Sequence, residues 1–258
     1  MIGLFFFLLT LLPVQETKPW NNKSCAVVLT YDDASNVHLD NVIPLLDSLK
    51  LKGSFYLSGY FPGFRDRVSD WRKAAINGHE LANHTLFHPC IGNTPGREWV
   101  KPERKMENYS ILRMTEEVRM NNILLTAVDG KTKRTFAYPC GDMKIRDSLY
   151  LDKKDFVAAR STREQMPQIT EIDLYDIGCY SMNGQSGEEM ITLVKKAMSN
   201  HGLLVFLFHG VGGEHSLNVS LPEHRKLLRF LKQNEKDIWI APLMDVVERV
   251  KRYQSQKR

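Results

Sequence analysis

The chain has 258 residues, and 43% of them are hydrophobic, which is enough to bury one large core in a single domain. Its formal net charge of +5 comes from 35 basic and 30 acidic residues, and no long run of one sign precedes the tail at residues 251–258. This distribution is typical of a solvated surface and argues against nucleic acid as a partner.

The chain begins with an apolar run, Met-Ile-Gly-Leu-Phe-Phe-Phe-Leu-Leu-Thr-Leu-Leu-Pro. Its length suits the core of a signal peptide and is too short for a bilayer span. We therefore predict a leader over residues 1–20 and a single folded domain over residues 21–258. This predicts a secreted, periplasmic or cell-envelope protein without a stable membrane span after leader removal. A buried first helix is the alternative.

Short apolar runs rich in Val, Phe, Ile and Tyr alternate with amphipathic segments along the rest of the chain. The runs predict strands over residues 26–31, 54–57, 80–83, 135–138, 156–159, 175–179, 203–208 and 238–241. The amphipathic segments predict helices over residues 41–50, 68–77, 114–128, 188–200, 222–234 and 244–250. Residues 89–110 lack periodicity and predict a long surface loop.

Alternation of strands and helices predicts an α/β fold with parallel strands and crossover helices. The two candidate architectures are an open doubly wound sheet and a distorted (β/α) barrel of about seven to eight parallel strands. We favour the barrel, because the residues with chemical potential follow the C-terminal ends of several strands, where such barrels carry their active sites.

Two adjacent carboxylates follow the first predicted strand. The apolar run over residues 26–31 leads directly into Asp32 and Asp33, which places both at the mouth of the predicted barrel. One carboxylate can bind a metal there, while its neighbour takes a proton from a bound water. An Asp pair that caps the following helix is the alternative.

Two histidines follow the third predicted strand at positions i and i+4. On one helical turn, His84 and His88 would lie on the same side. With one Asp they would make a three-ligand site that leaves positions open for water and substrate. We expect one divalent ion, zinc, with cobalt, nickel or manganese as alternatives. Ordinary surface histidines also occur at this spacing, but here the pair accompanies the Asp pair.

A single histidine ends the apolar run over residues 203–208. Burial of His209 without a partner would be costly. Near a metal but not bound to it, this imidazole can act as a general acid for the departing amine or alcohol. A core histidine bonded to a backbone carbonyl is the alternative. The four cysteines, Cys25, Cys90, Cys140 and Cys179, have no CxxC spacing, and they can pair in three ways or remain free.

Three of these motifs, in this order, resemble those of the polysaccharide deacetylases, the NodB-homology group or carbohydrate esterase family four. The family's T-F-D-D-G is matched by Thr30-Tyr-Asp-Asp-Ala34, its H-S/T-x-x-H by His84-Thr-Leu-Phe-His88, and its L-x-H by Leu207-Phe-His209. The resemblance covers nearly everything after the leader. It implies a metal-dependent hydrolase that removes N- or O-linked acetyl groups from a polysaccharide or oligosaccharide. Chitin, peptidoglycan and acetylated xylan are all compatible.

The resemblance implies a role for each matched residue. Asp33, His84 and His88 would bind the metal, Asp32 would be the catalytic base, and His209 would be the catalytic acid. The family's third motif, R-P-P-Y-G, aligns with Ala137-Tyr-Pro-Cys-Gly141. By the same resemblance, the substrate-binding residues would be Tyr138, Pro139, Cys140, Gly141 and Leu207. The Cys140 amide would bind the oxyanion, and Leu207 would help line the acetyl-methyl pocket.

One departure from the family concerns the base. The motif's arginine orients and charges the base, and Ala137 stands in its place. Arg160, at the end of the fifth predicted strand, is our candidate to return a guanidinium to the same cavity. We group it with the substrate-binding residues.

Two other classes of function share parts of this pattern. Two histidines and one carboxylate also bind non-haem iron in oxygenases, but those sites require neither a second carboxylate nor an acid such as His209. A carbohydrate-binding pseudoenzyme is the second alternative, motivated by the missing arginine. Aromatic residues can supply sugar platforms or belong to the core, namely Trp71, Trp99, Tyr60, Phe61, Phe64 and Tyr109.

Overall fold

Eight parallel strands form the central sheet of the protein, which the computed structural model describes over residues 19–257. The twelve strands are β1 (Cys25–Asp32), β2 (Ser54–Leu57), β3 (Glu80–Asn83), β4 (Thr135–Ala137), β5 (Lys144–Ile145), β6 (Ser148–Leu149), β7 (Ala158–Arg160), β8 (Tyr180–Ser181), β9 (Leu203–Phe208), β10 (Gly210–Val211), β11 (Asn218–Val219) and β12 (Ile238–Ile240). The α-helices are α1 (Ile43–Ser48), α2 (Pro62–Arg65), α3 (Val68–Ile76), α4 (Ile111–Asp129), α5 (Gly187–Asn200), α6 (Leu221–Gln233) and α7 (Leu243–Gln256). A π-helical turn occupies His38–Val42. Short 3₁₀ helices occupy Pro102–Arg104, Met106–Asn108 and Pro139–Gly141.

The central sheet follows the order β7-β4-β3-β2-β1-β9-β8, and β12 pairs with the start of β1. A parallel bridge between Arg160 of β7 and Ile177, just before β8, brings the two edges of this order together. The sheet therefore curls into a half-barrel with helices around it. This confirms the predicted distorted (β/α) barrel.

Alternate residues of β1 face two different hydrophobic clusters, as the two-residue period of a strand requires. Val27, Leu29 and Tyr31 pack in the outer cluster with helices α1, α3, α5 and α6, whereas Ala26 and Val28 pack in the inner cluster. All eight residues of β1 are buried. Continuation of the even-numbered register places Asp32 on the inner side, at the C-terminal mouth of the half-barrel.

Three local predictions differ from the structure. Residues 84–88 form an irregular loop rather than a helical turn, and the predicted strand over residues 175–179 is reduced to the bridge at Ile177. The predicted strand over 156–159 moves to β7, because residues 152–157 still form the turn that leads into it. Strands β2, β3 and β9 have the predicted bounds, since their apolar runs are bounded by clear turn residues.

The predicted leader lies largely outside the described residues. Trp20 is fully buried, and its indole N–H donates to the carbonyl of His201 at 2.8 Å, so this residue belongs to the folded unit. Within residues 19–257, no helix has both the length and the apolar character needed to cross a membrane.

A buried histidine of α6 makes the stability of the fold sensitive to acid. Burial lowers the pKa of His224 to about 3, and its Nε2 lies 2.9 Å from the Tyr31 hydroxyl. The unfolded chain takes up a proton at this side chain near pH 6.5, so it binds more protons than the folded chain below that pH. As the pH falls between the two pKa values, we expect this residue to lower the free energy of unfolding by about 1.4 kcal/mol per pH unit. Denaturant unfolding over that range should show a shallower pH slope for His224→Gln than for the wild type. Identical slopes would contradict the assignment.

Candidate active site

The C-terminal ends of β1, β3 and β9 converge on one cavity of about 200 Å³. Asp32 is the last residue of β1, Asp33 follows it, His84 follows β3 and His209 follows β9. All four line the cavity. Parallel strands end on the same edge of the sheet, which explains why residues so distant in sequence meet there.

Asp33, His84 and His88 bring three metal-ligating atoms within 4.8 Å of one another. Asp33 Oδ1 lies 3.5 Å from His84 Nε2 and 3.4 Å from His88 Nε2. This carboxylate oxygen is buried and has no hydrogen-bond partner within the described part of the chain. A buried carboxylate oxygen without a partner is unfavourable. A cation between these three atoms would satisfy it, so the residues fit a divalent metal ion.

The hydrogen bond of His84 prepares its other nitrogen to bind a metal. Nδ1 of His84 lies 2.8 Å from the carbonyl oxygen of Ala137, which can only accept, so Nδ1 carries the proton. The Nε2 lone pair then faces Asp33. Burial lowers the pKa of His84 to about 4, which keeps the ring neutral at neutral pH as a metal ligand must be. The ligand types suit zinc and several other divalent ions and do not by themselves select one.

The backbone around these residues is held in the left-handed region. Asp33 has φ 79°, Thr85 has φ 61° and His88 has φ 55°. Such conformations are uncommon outside glycine and concentrate at functional sites. The helical turn expected for the two histidines is wrong for this reason. The irregular loop instead brings His88 back toward Asp33.

The second carboxylate, Asp32, is paired with Arg160. An Arg160 guanidinium nitrogen donates to Asp32 Oδ2, and both side chains are almost completely buried. Burial by itself lowers the pKa of Arg160, but the adjacent Asp32 carboxylate outweighs it, and the pKa lies above its usual value. The guanidinium is therefore charged. It also lies over the ring of Tyr56, with 5.0 Å between its central carbon and the ring centroid.

This pairing leaves one oxygen of Asp32 available. Asp32 Oδ1 is buried without a hydrogen-bond partner among residues 19–257, whereas Oδ2 is occupied by Arg160. Arg160 was predicted to be a substrate-binding residue. Its side chain is fully buried and does not line the cavity. Its polar contacts are with Asp32, the Ser161 carbonyl and Cys179 Sγ.

His209 is held through its backbone by a second buried histidine. Nε2 of His38 lies 2.5 Å from the carbonyl oxygen of His209. Burial lowers the pKa of His209, partly offset by Asp33 and Asp32. Its Nδ1 is buried and has no partner in the part of the chain that the structure describes. A ring bond to a backbone carbonyl, which was the alternative for His209, is made by His38 instead, and His209 lines the cavity.

His215 is a site residue that the sequence analysis missed. Its Nε2 lies 3.6 Å from Asp33 Oδ2, and its ring stacks on that of His209 with centroids 4.7 Å apart. Gly212 and Gly213 have φ of 78° and 131°, which allows the chain after β10 to fold back toward the cavity. This Gly-Gly turn shortly after His209 is the sequence signal that could have identified it.

Asp33 is therefore surrounded by imidazoles. Burial raises the pKa of Asp33, but His88, His209, His84 and His215 together outweigh this effect and hold the pKa well below its ordinary value. The carboxylate is ionised whenever the protein is folded near neutral pH, as a metal ligand requires.

Comparisons with known proteins identify the family. A sequence profile described as Polysaccharide deacetylase matches residues 21–155 of the chain. The chain belongs to the polysaccharide deacetylase family. The matched region includes Asp32, Asp33, His84 and His88 and ends before Arg160.

Two kinds of relative accompany this match. A chitooligosaccharide deacetylase from Sinorhizobium fredii is 30% identical over 99 residues, which cover 38% of this chain and 45% of that protein. The chain thus spans less than half the length of this curated relative. The structure of a proposed polysaccharide deacetylase from Mycobacterium smegmatis has a TM-score of 0.66 at 15% identity, over 90% of this chain and 92% of that one.

One solved structure of this fold is described as a pseudoenzyme. The wild-type CE4 family pseudoenzyme from Bacillus anthracis has a TM-score of 0.51 at 14% identity, over 88% of this chain and 66% of that one. At these identities the similarity establishes the fold alone, so activity has to be argued from the residues of the site.

The third deacetylase motif forms one wall of the cavity. Tyr138 and Cys140 line it, together with Leu207 from the opposite side, whereas Pro139 is buried. Gly141 has φ 75°, and a Cβ there would lie 2.2 Å from Thr162 Oγ1, so this position requires glycine. Cys140 has φ 56°, which turns its peptide plane at the motif's tight turn.

A disulfide joins this motif to the segment that follows His84 and His88. Cys90 and Cys140 are bonded, while Cys25 and Cys179 are free and buried. His88, Cys90 and Cys140 also place three ligand atoms close together, but sulfurs in a disulfide are not thiolates, and this second group does not offer a metal site. The disulfide instead fixes the Cys140 turn relative to His88.

The aromatic candidates for sugar stacking differ in exposure, and Phe61 is half-buried. Trp71, Phe64 and Tyr109 are buried and belong to the core. Trp99 is 59% exposed and Tyr60 is 47% exposed, so these two remain available to a ligand.

Proposed function

We propose that the protein is a divalent-metal-dependent hydrolase that removes N- or O-linked acetyl groups from a polysaccharide after export from the cell. The observation that carries the proposal is the ligand cluster of Asp33, His84 and His88 beside the buried Asp32–Arg160 pair. Family membership supports the acetylated polysaccharide as substrate.

The proposed mechanism divides metal binding, proton removal and proton donation among different residues of the site. Asp33, His84 and His88 would hold a divalent ion, which would supply Lewis-acid activation of a water molecule. Asp32 removes a proton through its unpartnered Oδ1, with Arg160 holding the other oxygen. His209 donates a proton to the leaving nitrogen or oxygen.

The negative charge that develops on the acetyl oxygen needs a hydrogen-bond donor as well. The backbone amide of Cys140 is placed at the cavity wall by the tight turn and the disulfide. An oxyanion donor of this kind typically contributes about 3 kcal/mol to the stability of the transition state. A backbone amide is independent of side-chain identity, so a cysteine in place of the family's tyrosine is compatible with this role.

The pseudoenzyme alternative rests on the absence of the motif-three arginine. Arg160 of β7 supports the enzyme proposal against this alternative, because its guanidinium contacts the Asp32 carboxylate. The oxygenase alternative leaves Asp32, Arg160 and His209 without a task. Both alternatives predict binding or oxygen consumption without release of acetate.

Acetate release from chitin oligomers, peptidoglycan and acetylated xylan tests the proposed function. We expect release from at least one substrate, loss of release after chelation, and recovery when zinc, cobalt, nickel or manganese is restored. The His84→Ala variant should remain inactive after metal is added, whereas His201→Ala, which alters a histidine outside the cavity, should recover like the wild type. Acetate release that is unaffected by chelation would rule out the metal mechanism.

A further inference from the structure

An outer cleft of about 900 Å³ opens beside the metal ligands. Asp33, His88, Trp99 and His215 line both this cleft and the smaller cavity, so the two spaces are continuous. Phe61 and Arg104 also line the outer cleft, and the Phe61 ring lies 5.8 Å from the ring of His88. A polymer whose acetylated sugar reacts in the cavity would place its neighbouring sugar in this outer cleft.

Trp99 is presented to the outer cleft by an anchored loop. The Cys90–Cys140 disulfide ties the loop to the third motif at one point, and Arg97 ties it at another. The Arg97 guanidinium donates to Asp142 and to the carbonyl of Cys140. An indole that stays 59% exposed on such a fixed loop provides a flat apolar face of the kind that stacks on sugar rings.

Arg104 is the second feature of the outer cleft. Its guanidinium lies over the rings of Tyr60 and Phe61, 5.4 and 5.7 Å from their centroids. Within residues 19–257, no carboxylate oxygen lies within 4.0 Å of this guanidinium. Stacking uses the face of a guanidinium and leaves the N–H donors on its edge free for an anion.

The position of Arg104 and the charge around it favour an acidic ligand. The Arg104 carbonyl accepts a hydrogen bond from the Cys90 amide at 3.1 Å, so the disulfide also anchors this residue. Residues 97–105 contain four basic and two acidic side chains, a net charge of +2. Glu214, on the opposite rim of the cleft, is hydrogen-bonded to the Asn36 side chain and the Val37 amide.

We propose that the outer cleft binds an acidic sugar next to the acetylated one, with Trp99 stacking on the ring and Arg104 pairing with its carboxylate. The substrate class is then a glycan in which acetylated hexosamine alternates with carboxylated sugar, rather than a neutral polymer. This inference rests on the proposed function, since it places the reacting sugar in the cavity beside Asp33.

Calorimetry on the full chain tests the inference with two matched ligands. One is a peptide-free peptidoglycan strand, which carries a lactyl carboxylate on alternate sugars, and the other is the same strand with its carboxylates reduced to alcohols. We expect the wild type to bind the acidic strand about tenfold more tightly, as a charge-assisted hydrogen bond at a partly exposed site allows. Arg104→Gln should bind both strands equally, and Trp99→Ala should bind both more weakly.

Arg65→Gln is the matched control, because Arg65 is exposed, lies outside the cleft and pairs with Asp66. This variant should keep the tenfold preference. Equal binding of the two strands by the wild type, no binding of either, or a preference that survives Arg104→Gln would overturn the inference. Binding is measured without turnover, so a preference for the acidic strand without acetate release would refute the proposed function and leave the outer cleft as an acidic-glycan site.

Discussion

Replacement of Asp32 by asparagine should reduce kcat for acetate release by about 10²- to 10⁴-fold, the usual contribution of a general base. The asparagine amide has nearly the same shape and can still accept a hydrogen bond from Arg160, but it cannot take up a proton. Among residues 19–257, Asp32 Oδ1 is buried without a hydrogen-bond partner, and Asp32 lines the cavity. The substitution removes the ability to take up a proton that we propose for this side chain.

The metal content of Asp32→Asn separates this role from metal binding. Asp33 is the expected ligand, but Asp32 Oδ2 also lies 3.7 Å from His84 Nε2. We expect the variant to retain one equivalent of metal, measured by elemental analysis, while Asp33→Asn loses it. If Asp32→Asn also loses the metal, Asp32 is a ligand, and a kcat close to that of the wild type would mean that another group acts as the base.

Much of the fold followed from local patterns in the sequence. The apolar runs of β2, β3 and β9 are short, continuous and bounded by turn residues, so both their type and their bounds were predictable. The strand predicted over 175–179 is wrong, because only Ile177 pairs there, and that pairing with β7 depends on long-range contact rather than on local propensity. Asp32 and Asp33 were predictable because a buried strand leads directly into them.

The parts of the site that escaped prediction depend on contacts between distant segments. His84 and His88 have helical spacing, but positive φ at Thr85 and His88 makes the loop irregular, and sequence spacing does not reveal that. His215 reaches Asp33 only because the Gly-Gly turn reverses the chain. The pairing of Cys90 with Cys140 could not be chosen among three possibilities, since spacing carries no information about which loops meet.

The position of Arg160 was predictable from the sequence, but its contact partner was not. Its place at the end of a strand pointed to the barrel mouth, yet sequence alone could not distinguish contact with substrate from contact with Asp32. In the structure, β4 and β7 pair directly, with Ala137 opposite Arg160. We propose that the guanidinium that the family carries at the position of Ala137 is supplied here by Arg160, the register partner of Ala137 on the adjacent strand.

Substitution of Arg160 by methionine should lower the free energy of unfolding by about 3–5 kcal/mol, because it leaves Asp32 as an unpaired charge in the protein interior. Methionine fills much of the same volume beside Tyr56, so most of this loss would reflect the missing charge rather than a cavity. Turnover should fall as well, since nothing then holds Asp32 Oδ2 while Oδ1 acts. Urea denaturation and acetate release measure the two effects.

The double variant Asp32→Asn, Arg160→Met separates the charge pair from simple packing. If the stability loss comes from the unpaired carboxylate, removal of that charge should restore most of the stability lost in Arg160→Met, while activity stays low. Additive losses in the double variant would mean that the two side chains act independently. In that case Arg160 would be a packing residue, and the absence of the family's arginine would again favour the pseudoenzyme alternative.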